Sequence, residues 1–254
     1  VHSVRVLDKL YRRNISLQTL DGVLCHNGEF AQQVLTLGTL EGFEALDALV
    51  EACNADESTI GTLRPSTLEG CVVRVSDMIA YVGKDRADAL AMGVIDTLDV
   101  FDSDVIGLNN AKIINNLTVD IVNHSYGRDR IAMSEEVFAD LKRAKRQNYE
   151  VIYGREGMVD DTSNIVEEMF AQMYERVLDD LRAGDEGSPV MRHHVARLCA
   201  ASRTITPERY LAQDLNDVVA DYLASMTDSY FMAIYEHLFG ERRPVSLRGY
   251  CADL

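Results

Sequence analysis

Four residues between positions 77 and 88 combine three carboxylates with one phenol at the spacing of a single helix face. They are Asp77, Tyr81, Asp85 and Asp88, which lie four, four and three positions apart. At about 100° per residue such positions share one narrow face and span about 16 Å of the helix axis. Carboxylates in a row repel each other unless a metal ion, a Lys or Arg, or the hydroxyl groups of a sugar lie against them. The spacing is therefore compatible with a ligand site and equally with a solvated acidic face.

The helix that carries these residues is predicted to begin just after Pro65 and to end near Gly93. Ser66 and Glu69 have the spacing of a capping box at its start. Apolar residues then recur at steps of three and four, which predicts a core-facing stripe. They are Leu68, Val72, Val75, Ile79 and Val82. Because the polar face adjoins this stripe, we expect it to lie at a wall of the core or of a cleft.

The remaining pattern predicts an all-α protein, a multi-helix bundle. We expect further helices at residues 4–11, 17–26, 40–53, 111–123, 134–153, 163–182, 190–202 and 207–239, the last broken near 226–228. No convincing period-two strand and no internal repeat is visible. Residues 184–189 are predicted to form a loop between helices, and no domain boundary is evident.

Composition limits the classes of partner. A formal net charge of −16 argues against sequence-independent nucleic-acid binding, although a few clustered cationic side chains could still bind a small anion. The five cysteines are scattered without metal-type spacing, which predicts reduced thiols in a cytoplasmic protein. No apolar run is long enough for a membrane span, and no signal peptide is visible. The start at Val1 without a Met suggests a fragment or a processed chain.

The segment from Thr67 to Tyr81, TLEGCVVRVSDMIAY, resembles the EAQVVDLADDIAY segment of HD-superfamily deoxynucleoside triphosphate triphosphohydrolases of the bacterial dGTPase type. The resemblance implies that Asp77 is the last ligand of a His…His-Asp…Asp site for a divalent metal such as Mn²⁺ or Mg²⁺. It also implies that Tyr81 packs against the sugar or phosphates of the substrate, and that Asp85 accepts a hydrogen bond from the sugar 3′-hydroxyl. Arg74 and Lys84 depart from the family pattern, in which an Asp and often a His occupy these positions.

Four other segments resemble the family in the same order along the chain. Residues 2–7 are similar to its N-x-Q-S-L-R helix, and residues 20–26 resemble the helix that follows. Residues 145–153, KRQNYEVIY, are similar to K-R-F-x-Y-E-x-V-Y, which implies Lys145 near phosphates and Tyr153 near the base or sugar. Residues 221–228, DYLASMTD, match the family's D-Y-I-A-G-M-T-D. Lys84 and Arg5 are further candidates for phosphate contacts.

By this resemblance residues 1–254 correspond to the C-terminal part of such an enzyme and form a single helical domain of the HD type. The family's first metal ligand, its His-Asp pair and its catalytic His and Glu lie upstream of the residue that matches Val1. The implied reaction is hydrolysis of a dGTP-like deoxynucleoside triphosphate to deoxynucleoside and tripolyphosphate by a metal-activated water, in a homo-oligomer. No catalytic residue is assigned within the chain, because a single carboxylate cannot hold a catalytic metal ion.

Three alternatives stay open. The first is an HD phosphohydrolase that acts on another nucleotide, against which Tyr81, Asp85 and residues 221–228 argue. The second is a catalytically incomplete nucleotide-binding or regulatory subunit, which the missing ligands, Arg74 and Lys84 would fit. The third is a helical interaction bundle without a nucleotide ligand, for which a nucleotide-independent melting temperature would be typical.

Overall fold

The structure, a computed structural model, describes residues 1–27, 32–154, 160–202 and 204–240, with the side chains of 160–163 left aside. Cys251 lies outside these residues, and the cysteines within them are free thiols. The chain divides into two compact units, Val1–Arg155 and Glu156–Leu254. The predicted loop at 184–189 lies within the second unit, and the sequence gives no signal for the division itself. That the chain forms a single domain stays a prediction.

Helices dominate both units, which confirms the predicted all-α class. In unit 1 they are α1 (His2–Arg5, continued by a π turn Val6–Leu10), α2 (Leu17–Cys25), α3 (Phe43–Ala55), α4 (Leu68–Ala91), α5 (Asn110–Ser125) and α6 (Glu135–Asn148, continued by a π turn Tyr149–Tyr153). Short 3₁₀ turns occupy Glu57–Thr62 and Leu98–Val100. In unit 2 they are α7 (Asp160–Ala183), α8 (Ala196–Ala201, preceded by a π turn Val190–Val195), α9 (Pro207–Leu211), α10 (Leu215–Ala224) and α11 (Asp228–Phe239).

Two short strands were not predicted. β1 (Val34–Thr36) and β2 (Arg130–Ala132) pair antiparallel, with Leu35 opposite Ile131. Three-residue strands are too short to show an alternating pattern in the sequence, and only one residue of β1 is buried. The ribbon adds Leu35 to the core of unit 1.

The start of α4 differs from its prediction. Its N-cap is Thr67, whose hydroxyl accepts a hydrogen bond from the backbone N–H of Gly70, so the capping box of Ser66 and Glu69 is wrong. Ser66 instead donates its hydroxyl and its backbone N–H to the buried carboxylate of Asp21 on α2, at 2.7 and 2.6 Å. The two hydroxyl residues are adjacent, and tertiary packing against α2 decides which of them caps the helix.

The apolar stripe of α4 passes through Cys71 and not through the predicted Val72. Val72 is 46% exposed, whereas Cys71 is completely buried. From Val75 onward the predicted positions are buried, and they pack against α5 and α6. This packing forms the largest apolar cluster of unit 1, and it leaves the polar face of α4 beside the cluster.

The predicted long helix at 207–239 is three helices in the structure. The chain breaks at Asp214, whose carboxylate caps α10, and again at Thr227, whose hydroxyl caps α11. The second break is the one that the sequence predicted. Within unit 2, α10 packs on α7, and an apolar cluster that includes Met169, Met173 and Phe231 joins α7 to α11.

Candidate functional site

A cavity of about 520 Å³ lies beside the polar face of α4 in unit 1. Helix α4 and helix α6 with its π turn provide most of its wall. The lining residues are His26, Asn27, Asp77, Met78, Tyr81, Val82, Asp85, Lys145, Asn148, Tyr149 and Tyr153. Five residues singled out in the sequence therefore line one cavity, although they come from two segments, 77–85 and 145–153, that are far apart along the chain.

The π turn at the end of α6 keeps three lining residues on one side of the helix. Lys145, Tyr149 and Tyr153 are each four positions apart, and every such step in an α-helix drifts by about 40°. A π turn advances fewer degrees per residue, because its hydrogen bonds close over five residues instead of four. The step from Tyr149 to Tyr153 is π-helical and offsets the drift of the preceding α-helical step. A lysine and two phenols therefore follow one another along the cavity wall.

Asp85 carries the clearest electrostatic signature of the site. Burial raises the pKa of its carboxyl, and the neighbouring charge of Asp88 raises it further. The hydroxyl of Tyr153 and the side-chain amide of Asn148 lie within hydrogen-bonding reach of the carboxylate, and both lower the pKa. The pKa of Tyr153 is raised in turn, first by burial and then by Asp85. A carboxylate that is partly withdrawn from water and held by two donors is arranged to accept a further hydrogen bond from a ligand.

Behind Asp85, a buried polar pair joins α4 to α6. The Nε of Arg86 donates to the Oδ1 of Asn148 at 2.8 Å, and the Nδ2 of Asn148 donates to the carbonyl of Val82 at 2.9 Å. The guanidinium lies over the ring of Phe101, 4.1 Å from its centroid. Neither Arg86 nor Asn148 was predicted as part of a site, because a lone Arg on an amphipathic helix is typical of solvent exposure.

The remaining lining side chains present both charges and aromatic surface to the cavity. Asp77 is half-buried, and Tyr81 is 60% exposed. Tyr149, which the sequence analysis did not single out, is 71% exposed. Its spacing of four from both Lys145 and Tyr153 was the signal that could have identified it. Exposed phenol rings beside a carboxylate and a lysine can stack on a planar ligand and hydrogen-bond its polar groups.

His26, which follows the last residue of α2, also lines the cavity. Its Nδ1 lies 2.7 Å from the carbonyl oxygen of Val23. A carbonyl can only accept, so Nδ1 carries a proton and donates it to this bond. The ring is thus held by its own helix.

Arg5 and Lys84 do not line the cavity. Lys84 forms an ion pair with Asp88, one helical turn further along α4. Arg74 is buried instead of facing the site, and its Nη1 donates to the carbonyl of Leu63 at 2.7 Å. The phosphate contacts of Arg5 and Lys84 stay predictions.

The described residues do not provide a metal site by themselves. Among them, no group of three or more His, Cys, Asp or Glu side chains is placed to hold a metal ion. Protein sites for divalent ions use about three or more ligands, so Asp77 could contribute only one of them. The described part of the chain therefore does not fit a divalent ion without further ligands.

Comparison with curated proteins finds seven similar sequences, of which three are described here. The deoxyguanosinetriphosphate triphosphohydrolase-like protein of Caldanaerobacter subterraneus is 28% identical over 181 residues, which cover 69% of this chain and 47% of that protein. Proteins with the same name from Clostridium tetani and Desulfatibacillum aliphaticivorans are 23% and 26% identical, and the alignments cover 94% and 93% of this chain.

The chain spans about half the length of the curated relatives that it matches, between 47% and 60% for these three. No protein-family model and no solved structure matches it. Among the described residues, no helix is both long enough and apolar enough to cross a bilayer. The similarity over most of this chain supports the resemblance drawn from its motifs.

Proposed function

We propose that this chain, which is a relative of the deoxyguanosinetriphosphate triphosphohydrolase-like proteins, provides the sugar- and phosphate-binding wall of a site that hydrolyses a deoxynucleoside triphosphate to deoxynucleoside and tripolyphosphate. The observation that carries the proposal is the meeting of Asp85, Tyr153, Lys145 and Asp77 in one cavity of unit 1. These are residues to which the resemblance gives ligand roles.

The chemistry of the wall suits such a ligand. A cavity of about 520 Å³ is within the range of small-molecule sites. Asp85 is an acceptor for a sugar hydroxyl, and Lys145 offers the positive charge that a phosphate chain requires. Tyr81 and Tyr149 are exposed rings against which a sugar or base could pack. The net charge of −16 makes this local lysine more important, because the rest of the chain repels polyphosphates.

A divalent metal ion remains part of the proposal, with Asp77 as one ligand. The described residues assemble no complete ligand set, so the other ligands have to come from elsewhere. The residues of this chain bind and orient the nucleotide. A homo-oligomer is proposed on the resemblance alone, and light scattering of the purified protein would measure its size.

A second function is a nucleotide-binding or regulatory subunit that does not turn its ligand over. It is favoured by the finding that the described residues bring no group of metal ligands together. Binding alone cannot separate the two functions, because both use the same wall.

The test measures binding and turnover on the same preparation. Each deoxynucleoside triphosphate is added with Mn²⁺, with Mg²⁺ or without a divalent ion, and melting temperature and release of tripolyphosphate are recorded. A ligand present at 100 times its Kd stabilises the protein by about 2.7 kcal/mol. Stabilisation with release of tripolyphosphate is the expected result. Stabilisation without release supports the non-hydrolytic subunit, and no stabilisation by any deoxynucleotide contradicts both functions.

A further inference from the structure

We propose that the outer face of α5 in one copy of this chain packs against the outer face of α3 in a second copy, and that this contact joins the copies head to tail. Both helices belong to unit 1. The inference goes beyond the nucleotide site, because none of the residues involved lines its cavity. It rests on the proposed function in one respect, namely that the chain forms a homo-oligomer.

The outer face of α5 carries an exposed stripe with the alternating three- and four-residue spacing of a helix that pairs with another helix. The stripe consists of Lys112, Asn115, Val119, Val122 and Tyr126, the last directly after the helix. Val119 and Val122 are each 52% exposed, and Tyr126 is 88% exposed. Apolar side chains that continue one another along an exposed face are typical of a contact with a partner.

The turn that follows α5 is held in one backbone conformation. Gly127 has a φ of +72°, and the N–H of Arg128 donates to the carbonyl of Ser125 at 3.0 Å, as in a type II β-turn. The hydroxyl of Ser125 also bonds both backbone groups of Ala132, at 2.9 and 3.2 Å. Tyr126 lies at the tip of this turn, so its ring loses little backbone entropy when it packs on a partner.

The stripe on α5 is basic in a chain that is strongly acidic. Lys112 lies at its start, Arg128 and Arg130 follow its end, and all three side chains are exposed. A partner of the opposite charge is therefore an acidic surface. A second copy of this chain, with a net charge of −16, offers such a surface, whereas the same charge repels a polynucleotide as a whole.

Helix α3 provides an acidic face with matching spacing. Residues 41–57 contain six carboxylates and no Lys or Arg. The outward stripe of α3 consists of Glu44, Ala48, Glu51 and Ala55, all exposed, at steps of four, three and four. The two alanines leave space into which Val119 and Val122 can pack, as side chains of paired helices do. The carboxylates are opposite in sign to the cationic ends of the α5 stripe.

The contact is head to tail because it joins two different faces. Helix α3 packs on α2 and on the 3₁₀ turn Glu57–Thr62, whereas α5 packs on α4 and β2. Pairing of α5 with α5 would bring the cations of both copies together, and pairing of α3 with α3 would do the same with the carboxylates. Contacts between different faces close into a ring when the rotation from one copy to the next permits it.

The test reverses the charge of each face in the whole chain and measures self-association by sedimentation velocity over a range of concentrations. One variant carries Lys112→Glu, Arg128→Glu and Arg130→Glu. Another carries Glu44→Lys and Glu51→Lys. Each should raise the Kd of self-association by about a hundredfold, because like charges then face each other. A third variant, which combines all five substitutions, should associate like the wild type, because the attraction returns with exchanged signs.

Two further variants separate charge from apolar contact. Glu168→Lys with Glu175→Lys is the matched control, because both are exposed carboxylates seven positions apart on α7, as are the two glutamates of α3. It changes the net charge equally and should associate like the wild type. Val119→Thr with Val122→Thr keeps the charge and the shape, and should raise the Kd by about tenfold through the loss of apolar surface. All substituted side chains are exposed, so circular dichroism should show an unchanged helix content.

Three outcomes would overturn the contact: a wild-type chain that is monomeric at every concentration, a single-face reversal that associates normally, or a combined variant that stays dissociated. Melting temperatures of the same proteins with deoxynucleoside triphosphates keep this result separate from the proposed function. Nucleotide stabilisation without self-association would overturn the contact between copies and leave the nucleotide site intact. Self-association with the expected pattern, without nucleotide stabilisation, would support the contact and contradict the nucleotide site.

Discussion

Both units bury a small group of hydrogen-bonded polar side chains, and the two groups differ in whether they adjoin the cavity described above. In unit 2, His194 lies 2.8 Å from the hydroxyl of Tyr210, and that hydroxyl donates to Asp221 at 2.9 Å. All three residues are buried within the unit. In unit 1, Arg86 donates to Asn148 at 2.8 Å, and Asn148 lines the cavity together with Asp85.

The difference indicates how a buried polar group can be interpreted. Tyr210 has one hydroxyl proton, which it gives to Asp221, so the Nε2 of His194 must be the protonated nitrogen that donates to Tyr210. Both hydrogen bonds lie among buried side chains, as is typical of a network that stabilises a fold. In unit 1, Asn148 lines the cavity, so the polar pair adjoins a place where a ligand could bind.

The largest expected effect concerns the pH dependence of unit 2. Burial lowers the pKa of His194 from 6.5 to about 4, so the folded chain keeps the ring neutral. Between these values the unfolded chain binds a proton that the folded chain does not bind. The stabilisation is therefore complete above about pH 6.5 and is lost as the pH falls towards 4, by about 3 kcal/mol.

Urea denaturation between pH 7 and pH 4 would measure this loss. His194→Gln, which keeps an N–H donor for Tyr210, should flatten the dependence. His193→Gln is the matched control, because it makes the same replacement at the neighbouring exposed position. An equal pH dependence of stability in the wild type and in His194→Gln would show that His194 is not its source.

The next prediction is a lower free energy of unfolding at an unchanged nucleotide affinity. Tyr210→Phe removes the hydroxyl that joins His194 to Asp221 and leaves both buried without that partner. The free energy of unfolding should fall by about 2 kcal/mol. Tyr126→Phe is the control, because Tyr126 is 88% exposed and its change should be negligible. Nucleotide affinity should be the same in all three proteins, and a weaker affinity in Tyr210→Phe would remove the contrast between the units.

The smallest effect in free energy is expected at the site itself. Asp85→Asn should weaken binding of a deoxynucleoside triphosphate by about tenfold, because the charged acceptor is lost. Burial and Asp88 raise the pKa of Asp85 in the folded chain, so its charge opposes folding at neutral pH. The variant should therefore be more stable, by about 0.5 kcal/mol after allowance for solvent.

Isothermal titration of Asp85→Asn would measure the expected loss of affinity, and urea denaturation would measure the expected gain in stability. Glu69→Gln is the control on the same helix, since Glu69 is exposed and does not line the cavity. A variant of Asp85 that binds normally and is less stable would reverse the interpretation of unit 1.

Helical spacing determines which residues share a side of α4, and three of the four residues predicted on its polar face line the cavity, whereas Asp88 does not. It placed Asp77, Tyr81 and Asp85 together, and the motif around Lys145 and Tyr153 added the second wall. Spacing could not predict the buried Arg86, because its position becomes interior only when α6 packs over it.

Tertiary packing also explains the other differences between the predicted and the observed elements. Ser66 and Thr67 are both good caps, and only the contact of Ser66 with Asp21 on α2 selects Thr67. Val72 and Cys71 both fit an apolar stripe, and the direction of the neighbouring helices decides between them. Strands β1 and β2 are defined by pairing over nearly a hundred residues, which local patterns do not contain.

Two glycines of α4 determine how the site can respond to a ligand. A Cβ on Gly70 would lie 2.7 Å from the side chain of Pro65, and one on Gly83 would lie 2.7 Å from the Cα of Asn110. The helix is therefore in close contact with its neighbours on either side of the segment that carries Asp77 and Tyr81. It has little freedom to rotate about its axis or to slide along it. The entropy of aligning these side chains is lost when the chain folds, so a ligand meets a rigid template and does not have to order one.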